Sequence, residues 1–329
     1  MRLAGSLALA AALLAASVPA RAQVQGRFPP DSLTNLKYFP RTIAFRDLLD
    51  TMKLFTRALG VRCTYCHLGD EGRPLASYDF ASDLKGSKRK AREMLRMVRA
   101  INDQYLANLE VRLDPPVRVQ CVTCHRGVDA PRQLQEALGQ AYGHGGVDST
   151  VALYLALRQR YFGRSAYDFG EVPLADVAGD LAARGKLADA VRLYALNVAQ
   201  NPQSAFARRQ HAEAAVQLAF SASGADSGVA TYRSLQASYG PAALPEETLN
   251  DVGYALLGAG KPAEAVAALQ LNVEAFPQSA NGYDSLGEAL AAAGDTARAI
   301  TSYERSLALD PHNANAVRKL QELRGRGGH

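Results

Sequence analysis

Cys63-Thr64-Tyr65-Cys66-His67 and Cys121-Val122-Thr123-Cys124-His125 are two copies of one pattern, C-x-x-C-H, and together they hold every cysteine of the chain. No other feature limits the fold and chemistry as strongly. Cysteines at i and i+3 on a helical turn lie on one side of it, and a histidine follows each pair at once. A two-disulfide framework would suit an exported chain with an even cysteine count, but it leaves both histidines without a role. A zinc site would need its ligands to converge from separate segments. Covalent attachment of haem c uses every residue of the pattern. The expectation is therefore two covalently bound haem c groups, attached at Cys63 and Cys66 and at Cys121 and Cys124. His67 and His125 are the iron ligands.

The first residues predict export. Arg2 precedes an Ala/Leu-rich run from Leu3 to Val18, and Ala20-Arg21-Ala22 offers a small-residue cleavage site before Gln23. That is the layout of a secretory signal peptide over residues 1–22. The run is shorter than the roughly 20 residues a membrane-spanning helix needs, and no cysteine follows it. A periplasmic or otherwise exported protein without a stable membrane anchor is expected.

Charge divides the chain. Residues 23–146 carry 19 Lys+Arg against 13 Asp+Glu, whereas residues 147–329 carry 16 against 19. A basic half joined to a slightly acidic one points to two units. Apolar residues at helical spacing place a helix over 43–58, with Thr42 as its cap and Gly60 at its end. A second helix is read over 88–109. All three methionines after Met1 fall on these helices: Met52 before the first motif, Met94 and Met97 before the second. Methionine often fills core gaps, but this distribution favours Met52 and Met97, with Met94 as the alternative, as axial thioether ligands.

Met52, Leu59-Gly60-Val61-Arg62 before the first motif, Arg96-Met97-Val98-Arg99-Ala100-Ile101-Asn102, Tyr105-Leu106 and Gln120 through Gly127 occur in this order. Residues 34–132 thereby resemble the photosynthetic reaction-centre cytochrome c subunit family. The resemblance implies a helix, motif, helix, motif order in which His67 pairs with Met52 and His125 with Met97. Subunits of that family carry four haems and this chain attaches two, so it resembles one half of such a subunit. One family haem takes a distal histidine, which makes His144 an alternative for the second haem.

Haem held between His and Met has no open position, and the soft thioether favours the ferrous state. Electron relay is then preferred over catalysis. A peroxidase-like di-haem enzyme would need one open position, and a scaffold with structural or sensory haems is a third reading. The run Lys85, Lys88, Arg89, Lys90, Arg92, Arg96 and Arg99 reads as a solvated helix face, as a partner for haem propionates, or as a surface steering an acidic redox protein. Nucleic acid is not an expected partner.

Beyond Pro173 the chain repeats. Gly260 and Gly294 are 34 residues apart, as are Pro277 and Pro311. Tyr283, Leu286, Gly287, Leu290, Ala299, Tyr303 and Pro311 follow tetratricopeptide spacing, and sets from Leu249 and from Leu174 repeat it. A degenerate unit over 206–246, expanded near Ser221–Ser227, lies between them, and 313–324 forms a closing helix. The overall expectation is an all-α chain: a signal peptide over 1–22, a di-haem domain over 23–146 and a linker or packing helix over 147–172. Gly143-His144-Gly145-Gly146 is the joint, and a repeat array over 173–329 docks a protein partner or another copy.

Overall fold

A computed structural model describes residues 27–111, 114–241 and 244–326. The expected signal peptide lies outside them. Among the described residues there is no strand, only one isolated bridge between Leu68 and Asp79, so the all-α expectation holds. No described helix is long and apolar enough to cross a membrane. The chain divides into two compact units, one ending at Pro131 and the other beginning at Arg132.

The first unit is built on α1 (Phe45–Leu59), α2 (Gly86–Ala100) and the short α3 (Cys121–His125). Helix α1 starts later than expected. Ile43 already donates to the Pro40 carbonyl in a turn, and Ala44, not Thr42, is the residue before the helix. It ends where Gly60 suggested: Gly60 is left-handed at φ 66°, and Val61 N–H reaches back to the Thr56 carbonyl at 3.0 Å. That is a Schellman end, which only glycine adopts without strain.

Helix α2 is shorter than the expected 88–109. After Ala100 the chain widens into a π turn, Ile101–Tyr105, then tightens into a 3₁₀ turn, Leu106–Asn108. Asn102 is the local cause, because its amide bonds the Val98 carbonyl one turn back at 3.0 Å.

The second unit opens with α4 (Leu134–Tyr161), which kinks at Gly145 and Gly146. The glycines expected to form a joint between domains thus lie inside this helix. Four helix pairs follow: α5 (Glu171–Ala183) with α6 (Leu187–Gln200), α7 (Ala205–Ser223) with α8 (Ala225–Tyr239), α9 (Glu246–Gly258) with α10 (Pro262–Ala275), and α11 (Ala280–Ala292) with α12 (Thr296–Leu309). Helix α13 (Ala314–Arg326) closes the array. Each helix packs chiefly on its sequence neighbours, as a stacked repeat requires.

The repeated residues make the interior. Ala190, Ala265 and Ala299 are fully buried, with Tyr194, Leu269 and Tyr303 buried beside them. Within three of the pairs the turn is a glycine Schellman end: Lys186, Lys261 and Asp295 each donate to a leucine carbonyl five residues back, at 2.8, 2.9 and 2.9 Å. The degenerate second pair lacks this turn. Its first helix runs 19 residues where α5, α9 and α11 run 13, and it breaks at Gly224 with φ 83°. The expected expansion is therefore extra helix, and Phe220 in that extra length is fully buried against α8.

Candidate haem-binding site

Both C-x-x-C-H segments are helical turns. Cys63–Tyr65 winds as 3₁₀, and His67 N–H then donates to the Cys63 carbonyl at 2.9 Å in α fashion. Cys121–His125 is α-helical, started by Gln120 N–H donating to Thr123 Oγ1 at 3.0 Å. Thr123, a spacer residue of the motif, is thus a capping residue. After His125 the chain reverses through Arg126 and Gly127 at φ 48° and 89°.

This reversal fixes the second histidine. Val128 N–H donates to the His125 carbonyl at 2.8 Å, and His125 Nδ1 meets the Val128 carbonyl at 2.9 Å. Since a carbonyl only accepts, Nδ1 carries a proton, which leaves Nε2 as the ring nitrogen that could face a metal. His67 stands in another setting. Its ring lies edge-on to Phe80, with centroids 5.0 Å apart, and its buried Nδ1 has no hydrogen-bond partner of proper geometry. Burial, reinforced by Lys88 and Arg92, pushes its pKa down to about 4. The imidazole is therefore neutral near pH 7, the form that ligates iron.

None of the four cysteines is paired in a disulfide. Cys63, Cys66 and Cys121 are half-buried and Cys124 is exposed. Burial pushes the Cys66 and Cys121 thiols up, away from the thiolate that zinc would select. Among the described residues no three His, Cys, Asp or Glu side chains converge as a metal-binding group. Two thiols one turn apart, each pair followed at once by an imidazole, fit covalent haem c by the chemistry of the donor set.

The fold ties the motifs together. Tyr65, inside the first motif, donates to Asp129 Oδ2 beyond the second at 3.2 Å. Gly127 N–H donates to the Ala58 carbonyl at the end of α1 at 2.8 Å. Met52 is half-buried on α1, while Met94 and Met97 are 43% and 45% exposed on α2. His144 belongs to the other compact unit, where it is exposed and its Nδ1 donates to the Gln140 carbonyl at 2.6 Å.

Much of the basic run turns inward. Lys88 Nζ donates to the carbonyls of Phe80, Ala81 and Ser82 at 2.8, 3.0 and 2.8 Å. It also pairs with Asp83 at 3.3 Å. Arg92 and Lys37 reach the same carboxylate at 2.8 and 2.7 Å. Arg92 above all, then Lys37, Asn35 and Lys88, hold the Asp83 carboxyl far below the usual carboxylate range. Lys85 bonds the Thr64 carbonyl within the first motif, and Arg99 lies over the Tyr38 ring at 5.3 Å. Lys88, with Arg92 and Lys37 through Asp83, locks the loop that carries Phe80, the neighbour of His67. Asp83 lies in no sequence motif, and only the fold brings Lys37, 46 residues back, to the carboxylate that Lys88 and Arg92 share.

Residues 62–138 match the family model of the photosynthetic reaction centre cytochrome C subunit. The match covers both motifs and α2 but begins after α1 and Met52. Residues 280–313, α11 and α12, match a tetratricopeptide repeat. Cytochrome c-554 of Chloroflexus aurantiacus is 41% identical over 81 residues, which is 24% of this chain and 16% of that relative. Solved structures with similarity include a MamA double mutant (17% identity, 49% of this chain and 86% of that one, TM-score 0.32). YrrB, a repeat protein with an unusual peptide-binding site, is another (16% identity, 59% and 84%, TM-score 0.30). Residues 62–138 of this chain are thus similar to the reaction-centre cytochrome C subunit family, and residues 280–313 to a tetratricopeptide repeat.

Proposed function

We propose that this protein is an exported di-haem cytochrome c that relays electrons, and that its repeat domain docks it to a redox protein or to another copy of itself. One observation carries the reading. Among the described residues, the unit that holds both motifs has almost no side-chain core: Ala58 and Val128 are its only buried apolar residues. The repeat unit of the same chain buries dozens of apolar side chains. Leu54, Met94, Met97 and Tyr105 are instead exposed on and just after α1 and α2. Two flat apolar macrocycles, one on each motif, would provide that interior, and each side chain they cover would contribute roughly 1.5–3 kcal/mol.

When bound, each haem supplies a one-electron couple that His/Met ligation poises toward the ferrous state. The protein's part is positioning. His125 is held by Val128 with Nε2 free, and His67 is kept neutral by burial. Met52 and Met97 are the thioethers assigned to them, with Met94 and His144 the alternatives for the second haem. The repeat array supplies stacked helices of the kind that bind proteins, and its acidic balance complements a basic surface.

The optical spectrum tests the relay. Purified from a host that matures c-type cytochromes, the ferric protein should show the thioether-to-iron band, and the reduced protein should not bind carbon monoxide. Ready carbon monoxide binding would instead indicate an open haem and an enzyme. Recovery of the haem protein from the periplasm, cleaved before Gln23, tests export.

A further inference from the structure

We infer that Asn102 is the positioning residue of the second haem: it sets where the Met97 thioether stands relative to the Cys121–His125 turn. The inference rests on the di-haem reading and goes beyond its ligand set.

The side chain of Asn102 makes three hydrogen bonds, all to backbone. Nδ2 donates to the Val98 carbonyl at 3.0 Å and to the Val119 carbonyl at 2.8 Å, and Oδ1 accepts Val119 N–H at 2.8 Å. Val98 adjoins Met97 on α2, and Val119 lies two residues before Cys121. One amide therefore holds together the helix that carries Met97 and the segment that enters the second motif. The pair of bonds to Val119 mimics one rung of a β-ladder, so it fixes register as well as distance.

The backbone at this point is shaped for it. Asn102 sits in the π turn Ile101–Tyr105, and single π turns in helices are frequent at functional sites. Among the described residues no other hydrogen bond links α2 or its π turn to the segment 117–120. Met97 is 45% exposed, so its place depends on this backbone link and not on enclosure by neighbouring side chains. An iron–thioether bond is sensitive to such displacement, as outer-shell contacts orient metal ligands generally.

The test compares Asn102→Leu, Asn102→Asp and Met97→Leu in the full-length haem protein. Covalent haem is counted by mass, the thioether-to-iron band is recorded, and each haem potential is titrated. Asn102→Leu should keep both haems attached, lose about half of the band because one of two centres is affected, and lower one potential only. Asn102→Asp keeps the acceptor for Val119 N–H but loses both donor bonds and sets a carboxylate oxygen against the Val98 and Val119 carbonyls, so it should give a partial band. A full band and two unchanged potentials in Asn102→Leu would overturn the inference. If the leucine variant does not fold, a partial band in Asn102→Asp supports the inference and an unaltered spectrum refutes it. If Met97→Leu keeps the whole band, the ligand assignment itself has failed, and the Asn102 variants then have no Met97 to position.

Discussion

Gly60 and Gly127 approach so closely that a Cβ on Gly60 would lie 2.0 Å from the Gly127 carbonyl oxygen. The end of α1 is therefore seated directly on the chain reversal that orients His125, and the Gly127 N–H bond to Ala58 holds it there.

Gly60→Ala should disrupt this seat. The left-handed φ of 66° costs an alanine about 1 kcal/mol, and the methyl overlaps backbone that has no flexible end to yield. A fall in thermal midpoint, with a weaker band from at least one haem, is expected in melts and spectra. An unchanged midpoint would mean the two backbones are not in contact.

The cluster around Asp83 predicts an acid response. Its folded pKa is depressed below the ordinary 3.8, so its contribution is complete above that pH and is lost as pH falls below it. Stability of the haem unit should decline below about pH 4, and Asp83→Asn should flatten that decline while lowering stability at pH 7. Melting curves at pH 7 and pH 3 for both proteins check this. Parallel pH dependence in the two would assign the acid loss to other groups.

Replacing Cys121 and Cys124 together with alanine should remove one haem and leave the other. The mass and the Soret intensity report the number, and hydrogen exchange reports the consequence. Amides of residues 27–131 should exchange faster while those of the repeats stay protected, because the proposed function has haem fill the interior of the first unit alone. Equal protection in both units would contradict the reading of a haem-filled core.

In the repeats, Gly287→Ala brings a Cβ to 2.8 Å from the ring of Tyr303. The ring is fully buried, so overpacking of about 1–3 kcal/mol is expected. Chemical denaturation of Gly287→Ala and of Gly287→Ala with Tyr303→Leu should show the second change recovering part of the loss. No recovery would place the strain elsewhere.

What the sequence determined by itself was local or periodic. The two C-x-x-C-H turns, the glycine end of α1 and the repeat period all depend on residues within a few positions of one another, or on one spacing used several times. Hydrogen bonds of i to i+4 reach and the steric demand of a positive φ are written in such short stretches. Tertiary structure decided the rest. The run Lys85–Arg99 has the composition of a solvated face, yet Lys88 and Arg92 close on Asp83 and its loop, and Arg92 also reaches the Asn35 carbonyl, 57 residues away. Thr42 has the character of a cap, but a turn at Pro40 delays the helix past it. Asn102 read as part of a helix and of the segment that carries the family resemblance, but its bond to the Val119 backbone, 17 residues on, was not legible there. A side chain that bonds distant backbone leaves no period and no motif; only the folded chain reveals which carbonyl it meets.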